Sequence, residues 1–412
     1  MTDREILYGL AAKVAEIAAL PVQKEKINLW TANNDLQTVS RPPVYIDQLP
    51  WHEINRTDEM KLLCEDPFLR TVEQNLRAIL YRWNHFRCDM VVRPFFELPK
   101  SVKGLDYGIK IVDDTLATDE ENDIVSHKYI DQLSTSEEVQ ALKEDIIEAD
   151  AALDASRKTM LEDIFGNVLP VRLSGVEIHS GVWDRIAQMR SVTNTLWDLA
   201  ENPELIEETV NKLVWLTMRT IDQCEELGLL DPMLSYIHCT GAFTKDLKVE
   251  NGFEDPSYKA KASDCWSLGM AQMFTTVSPA MHEEFEIDLV KPLYERFGLM
   301  YYGCCEPLHN RIHLVRKIKN VRKISISPWA DNQIAAENIG RDYVFSSKIS
   351  PAFIAVGFDE KSIRDRVEDV LDATRKNNTP VEFILKDVSS VQNDISRIDR
   401  WNDLVMSMVG GN

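Results

Sequence analysis

Apolar side chains recur at helical spacing from Asp3 to Leu20, and Pro21 closes the run. The same reading predicts a second helix over 23–33. Arg41-Pro42-Pro43 then leads into a first strand, Val44 to Asp47. Helical spacing returns over 57–84, and Met90 to Phe96 is the next strand candidate. Val168 to Ile178 gives further strand signal, interrupted at Gly175. Trp197 to Leu227 reads as helix, restarted by Asn202-Pro203 and stopped by Gly228. Beyond it the rhythm quickens. Strands are expected at Leu234–Cys239, Trp266–Met270, Tyr301–Cys304, Ile324–Ser327, Tyr343–Phe345 and Val381–Leu385. Most are separated by helical stretches, one of them opened by Ser278 at N-cap and Pro279 at N1.

Strand-then-helix units predict a parallel sheet, and about nine strand candidates against eight barrel strands point to a (β/α)8 TIM barrel with one accessory strand. A doubly wound open sheet is the alternative, but no Gly-x-Gly-x-x-Gly follows the first strand. Residues 1–40 then form an N-terminal helical extension on a barrel spanning 41–412. Residues 101–158 differ in texture, with the acidic run Asp119 to Asp123 and a helical period over 136–150. They are expected as an insertion outside the barrel wall, serving as a lid or a homodimer contact.

A formal charge of −21 argues against nucleic acid or an anionic membrane surface as the main partner. No apolar run reaches the roughly 18 residues of a membrane helix, and Met1 to Arg4 is polar, without a secretory pattern. Seven cysteines in no disulfide-framework spacing fit a reducing, cytoplasmic setting.

In a barrel the functional groups stand where strands end. Asp47, Trp51, His52 and Glu53 follow the first strand. His238 and Cys239 end the strand at 234, and Trp266 to Met270 leads to Gln272. Cys304, Cys305 and Glu306 follow the next, with His309 close by. Trp329 and Asp331 come after the strand at 324, and Lys348 after the one at 343. Cys304, Cys305, Glu306 and His309 are residue types that bind a borderline metal, with His238 a further donor. Leaving a strand in succession, the two thiols are expected on opposite sides unless the backbone bulges. His52, His85, His127, His282 and His313 are expected on the surface or on helix faces. There is no Ser-His-Asp arrangement, nucleophile elbow, phosphate-cradling loop or Cys-x-x-Cys pair.

Three segments resemble the uroporphyrinogen decarboxylase superfamily, in particular its corrinoid-linked methyltransferases and, more remotely, cobalamin-independent methionine synthase. They are Ser278-Pro279-Ala280-Met281-His282-Glu283-Glu284-Phe285 running on to Pro292-Leu293-Tyr294, Tyr301-Tyr302-Gly303-Cys304-Cys305-Glu306-Pro307, and Arg41 to Ile46. Asn202-Pro203-Glu204-Leu205 at a helix start also fits. The chain departs from the true decarboxylases, whose first strand leads into an arginine-bearing segment. Here Asp47 to Glu53 holds no arginine, so porphyrinogen decarboxylation is rejected. In the methyltransferases' His-x-Cys-Gly zinc motif, Cys305 matches the cysteine, but the histidine falls on Gly303. The later cysteine has no counterpart in Ser346 to Phe353.

The resemblance implies a methyltransferase that moves a methyl group between a small methylated substrate and a separate corrinoid protein, assisted by zinc. Its ligands would come from Cys304, Cys305, Glu306, His238 and His309. Glu306, Asp331 and Lys348 are the expected catalytic residues. Trp51, Glu53, His238, Trp266, Gln272, Tyr302 and Trp329 are expected to bind substrate, with Tyr301 beside them. The alternative is a metal-free decarboxylase or lyase of a small carboxylated substrate, using Lys348, His238 and Asp331 as acids and bases. A third reading is a non-catalytic module that binds a corrinoid or the substrate.

Overall fold

The computed structural model describes residues 1–117, 122, 124–247 and 258–410. Most of the acidic run Asp119 to Asp123 therefore lies outside the described residues. At the centre stand six parallel strands: β1 (Val44–Ile46), β2 (Trp266–Gly269), β3 (Leu299–Tyr302), β4 (Val321–Ile326), β5 (Val344–Ile349) and β6 (Val381–Leu385). Their order in space is β1-β6-β5-β4-β3-β2, curled into half a barrel within a mixed α/β fold.

Nearly every residue of these strands is buried, as a parallel sheet covered on both faces requires. The two faces differ in chemistry. Ile324, Ile326, Phe345, Ile349, Phe383 and Leu385 belong to the main apolar core, where helices Asn332–Ile339 and Glu360–Asn377 pack against β5. The concave face instead carries Tyr301, Lys323, Ser325, Ser346, Lys348, Glu382 and Lys386. Tyr301 donates to Ser346 Oγ at 2.9 Å, and Ser325 Oγ to the Cys304 carbonyl at 2.7 Å. Trp266, Leu268, Met270, Leu299, Tyr301 and Cys304 form a second, smaller apolar cluster on this side.

Both sheet edges continue into extended chain. At the β1 edge, Asp89 accepts from Val44 N at 2.8 Å and takes both Arg41 NH groups at 2.7 Å. At the β2 edge, His179 bridges Leu268 in parallel, and Val176 bridges Leu230. Between these edges Phe96–Pro99 pairs in parallel with Val171–Ser174.

Residues 101–158 add no strand to the six-stranded sheet. Val102–Lys103 pairs with Glu148–Ala149 and Asp113–Leu116 with Ser126–Tyr129, both antiparallel. Helices Ser136–Ala141 and Ala151–Phe165 complete the stretch.

The expected strand Leu234–Cys239 is a tight hairpin instead. Tyr236–Ile237 pairs antiparallel with Thr240–Gly241, so His238 and Cys239 are the two turn residues. Both are left-handed, with φ of 42° and 69°. Such turns favour Asn and Gly, and the hairpin is held from outside. Thr240 Oγ1 donates to Glu382 at 2.8 Å, while Lys323 Nζ reaches Thr240 Oγ1, the Gly241 carbonyl and Glu382 at 2.8–3.0 Å. The N-terminal helices are α1 (Asp3–Ala18) and α2 (Pro21–Asn34). Asn34 of α2 donates to the Gly241 and Phe243 carbonyls, and Trp30 Nε1 to the Asp89 carbonyl at 2.8 Å.

The long helix after Ser278 runs continuously through Pro279–His282, a π-turn at Glu283–Asp288, and Leu289–Tyr294, which contains Pro292. Proline cannot supply the N–H that a regular α-helix needs there. Among the described residues no helix is long and apolar enough to cross a membrane.

Candidate functional site

Strand β3 ends at Tyr302, and Gly303 turns the chain with φ 92°. Cys304, Cys305 and Glu306 therefore lie in a bend rather than in strand, and the alternation that would part the thiols does not apply. Their sulfurs stand 3.6 Å apart. Glu306 is buried and fully engaged: one carboxylate oxygen accepts from Ala271 N at 3.1 Å, the other from Cys304 N at 2.9 Å. It ties the end of β2 to the end of β3 and fixes where Cys304 points. Burial raises its pKa against these two bonds.

Lys386, the first residue beyond β6, donates to Cys304 Sγ at 3.1 Å and pairs with Asp387 at 3.2 Å. Lys348 on β5 is also buried, its Nζ lying 5.3 Å from the Tyr301 ring centroid with no hydrogen-bond partner. The His238 ring is 5.0 Å from the same Tyr301 ring, and its Nε2 is likewise buried and unpartnered. One aromatic thus carries the histidine and the lysine beside the thiol.

The charges follow from this packing. A hydrogen bond from the Cys305 thiol, with His238 and the positive charge of Lys348, depresses the Cys304 pKa far below the ordinary thiol range despite burial. Cys305 moves the opposite way, as the proton-bearing partner of the pair. Burial works against the Lys386 ammonium, yet the Cys304 thiolate and Asp387 hold its pKa above the usual value. Lys348 is lowered, by burial first and by Lys386 as the nearby like charge. Burial and Lys348 depress His238 to about 4, so its imidazole is neutral near pH 7.

Strained backbone surrounds the cluster. Gln48 after β1, His238, Cys239 and Asp387 after β6 are all non-glycine residues at positive φ. Each costs on the order of 1 kcal/mol, and such strain collects where side chains must be aimed.

Two cavities, neither lined by the cluster's own side chains, hold groups that interact with it electrostatically. One of about 280 Å³ is lined by His179, Asp184, Arg185 and Tyr107. Gln272 Nε2 donates to Asp184 at 3.1 Å. Burial, with the negative charges of Glu306 and Cys304, pushes the Asp184 carboxyl up to about 7. The other, of about 440 Å³, is lined by Tyr45, Asp47, Trp51, Arg82, Arg93 and Tyr236. Burial first, and Asp47 there second, raise the pKa of Cys239, which in turn acts electrostatically on Lys348 and Lys386.

The remaining sequence candidates lie elsewhere. Asp331 is exposed and caps helix Asn332–Ile339 through Ile334 N. Trp329 is 70% exposed. Glu53 is buried but accepts from Ser390, Val391 and Asn393, so it holds that loop. Trp266 donates to the Ala242 carbonyl at 2.9 Å and packs the concave face. The His309 carbonyl is tied to Asn338 on the helical layer.

Tyr302 faces the helices, opposite to Tyr301. It belongs to a chain that contains His282, which is fully buried rather than on a surface. Arg311 donates to His282 Nδ1 at 3.0 Å, which leaves the proton on Nε2, 2.9 Å from Tyr302 Oη. Tyr302 and Tyr294 both donate to Glu286 Oε1, at 3.2 and 2.6 Å.

Lys386 and Asp184 were absent from the expected site, while Cys239 was named only as the strand end beside His238. Lys386 carried a legible signal, since it ends a strand two residues beyond an inward-facing neighbour. Asp184 carried none, because its helix, Val182–Arg190, reaches the site only through tertiary packing.

Zinc meets a poor fit here. Two thiolates on one tetrahedral zinc lie about 3.8 Å apart, close to the 3.6 Å observed. However, among the described residues no group of three or more His, Cys, Asp or Glu side chains is placed to hold a metal ion. The Glu306 oxygens are committed to backbone N–H groups, and a lysine already neutralises Cys304.

No protein-family model matches the chain, and no curated protein matches it.

Proposed function

We propose that the chain is a metal-free decarboxylase or lyase acting on a small carboxylated substrate at the mouth of a (β/α)8 barrel. Closure of the barrel is supported by the two extended edges. The segments around Asp89, Phe96–Pro99 and Val171–His179 lie between β1 and β2 in the order that two further wall strands would take. Residues 101–158 are then an insertion between those two strands, and residues 1–40 an extension whose helix α2 braces the hairpin.

The observation that carries the chemistry is the pair Cys304 and Lys386 beside an unpartnered Lys348. Two lysine side chains at adjacent strand ends, with one thiolate between them, attract an anionic substrate into a low-dielectric site. Cys304 Sγ and Lys386 Nζ, 3.1 Å apart, share one transferable proton. That proton can be delivered to the carbon left by a departing carboxylate or other leaving group. His238 Nε2 supplies a neutral acceptor, oriented by the hairpin turn. Glu306 acts as a positioning residue, and Tyr301 as the floor of the pocket.

The test is a thermal-shift titration with acetate, succinate and acetoacetate in the presence of a chelator. Binding of carboxylates that is lost in Lys386→Met supports the reading. No shift with any of them, or a shift only when zinc is restored, contradicts it.

Methyl transfer to or from a corrinoid protein is the second reading. It is favoured by the 3.6 Å sulfur separation at the place of the methyltransferases' zinc motif. It needs a third metal donor and displacement of Lys386 from Cys304. Transfer of a methyl group to free cob(I)alamin, or from methylcobalamin, would distinguish it.

A further inference from the structure

Four buried lysines can be compared within one chain. Lys323 has Thr240, the Gly241 carbonyl and Glu382 within 3.0 Å. Lys386 has Cys304 and Asp387. Lys26 reaches the Arg87 carbonyl at 3.4 Å and lies over the Trp83 ring. Lys348 is only 3% exposed, and its Nζ has no acceptor at all. An ammonium has three N–H groups to satisfy, and burying one without acceptors costs more than a single aromatic face returns. The Tyr301 ring at 5.3 Å and the Cys304 thiolate are favourable neighbours, while the Lys386 ammonium is an opposing like charge. A lysine desolvated beside a second cation gives up its proton more readily, and the free amine so formed is a nucleophile toward carbonyl carbon.

We infer that Lys348 bonds covalently to substrate, forming an imine with the carbonyl of a keto acid. The inference rests on the metal-free reading above and narrows its substrate class from carboxylates to keto acids.

The Lys348 nitrogen attacks the carbonyl carbon, and the C–N bond forms as the carbonyl electron pair moves to oxygen. That oxygen leaves as water, taking up protons from the amine and from the Cys304–Lys386 pair, and the imine is left protonated. For a 3-keto acid, the bond from the adjacent carbon to the carboxylate then breaks. Carbon dioxide leaves and its bonding pair moves toward the iminium nitrogen as an enamine. The vacated carbon takes one proton, and water hydrolyses the imine and returns the amine. In sum, one keto acid anion and one proton give one ketone and carbon dioxide, with no oxidant or reductant. His238 Nε2, unpartnered beside the same Tyr301 ring, is positioned to pass protons during imine formation.

The hairpin turn stands beside the amine. Asp47, which lines the cavity of about 440 Å³, and both lysines act electrostatically on Cys239. Its backbone and that of His238 are the strained pair at positive φ.

The experiment is reductive trapping on the full chain. The protein is incubated separately with acetoacetate, pyruvate and 2-ketoglutarate, treated with borohydride, and examined by intact mass and peptide mapping. The expected result is one adduct per chain with at least one acid, on the peptide holding Lys348 and absent in Lys348→Met. Mapping on the wild-type chain decides the site even if that variant fails to fold. An adduct on Lys386, or none with any acid that shifts the melting temperature, overturns the imine while leaving carboxylate binding intact. The absence of both binding and adduct overturns the imine and the broader reading together.

Discussion

Lys386 Nζ stands 3.1 Å from Cys304 Sγ, joining the end of the last strand to the bend after β3 by one charge-assisted contact. The seven cysteines then divide sharply. Cys64, Cys88, Cys224, Cys239, Cys265 and Cys305 all have raised pKa values, chiefly through burial or, for Cys305, through its neighbour. Cys304 alone is lowered. Thiolate ultraviolet absorbance of the native protein at pH 7 should therefore report a single ionised thiol. It should vanish in Cys304→Ser and survive in Cys64→Ser. Lys386→Met should shift its titration upward toward the ordinary thiol range.

Glu306 tests positioning. Replacement by Ala leaves the Ala271 and Cys304 N–H groups buried without an acceptor and should cost about 1–3 kcal/mol of stability. Glu306→Gln keeps the shape but presents one amide NH₂ to a backbone N–H, and should lie between the two. Denaturant midpoints measure the cost. Thiolate absorbance in the Gln variant then reports whether Cys304 has lost its alignment with Lys386.

The fully buried pair Lys323 and Glu382 holds the hairpin through Thr240. Removing one charge, as in Glu382→Gln, should destabilise by about 3–5 kcal/mol, because a buried ammonium is left uncompensated. Lys323→Met with Glu382→Leu should recover much of that loss. If the double variant is no more stable than the single one, the cost lies in the hairpin contacts rather than in the orphaned charge.

Glu286 provides the pH signature. Burial pushes its carboxyl up from 4.5 to about 8, so the folded chain favours the protonated form. The sign follows: its contribution is fully present below pH 4.5 and is lost as pH rises through about 8. Within that window stability should fall with a limiting slope of about 1.4 kcal/mol per pH unit from this group. Asp184, raised to about 7, adds to the same trend. Glu286→Gln should flatten the wild-type curve between pH 5 and 8, measured by thermal melts, and leave the Asp184 part in place.

What the sequence disclosed and what it hid have physical reasons. β6 is apolar apart from Glu382, and its five residues Val381–Leu385 match the expected strand. β5 was expected to stop at Phe345, because Ser346, Ser347 and Lys348 break the apolar pattern. Pairing with β4 and β6 carries it to Ile349, and of its polar side chains Ser346 is held by Tyr301 on the concave face. Lys386, directly after the strand Val381–Leu385, was open to the same strand-end reading. His238 and Cys239 have no turn propensity, and the hairpin is imposed by Thr240 between Lys323 and Glu382. Cys304 and Cys305 do not alternate as expected because β3 ends at Tyr302, two residues short of the expected end at Cys304. Gly303 was the visible sign of its end. Trp329 and Asp331 follow a strand as expected, yet an exposed tryptophan and an N-cap aspartate share that position with the residues that gather around Cys304.

Zinc content is the most direct test of whether lysine rather than metal balances the Cys304 thiolate. The full chain, expressed in zinc-supplemented medium and dialysed without chelator, should contain far less than one zinc per chain by elemental analysis. Cys304→Ser should not change that figure. One equivalent of zinc in the wild-type chain, lost in Cys304→Ser or Cys305→Ser, would contradict the metal-free account and turn the site over to methyl transfer.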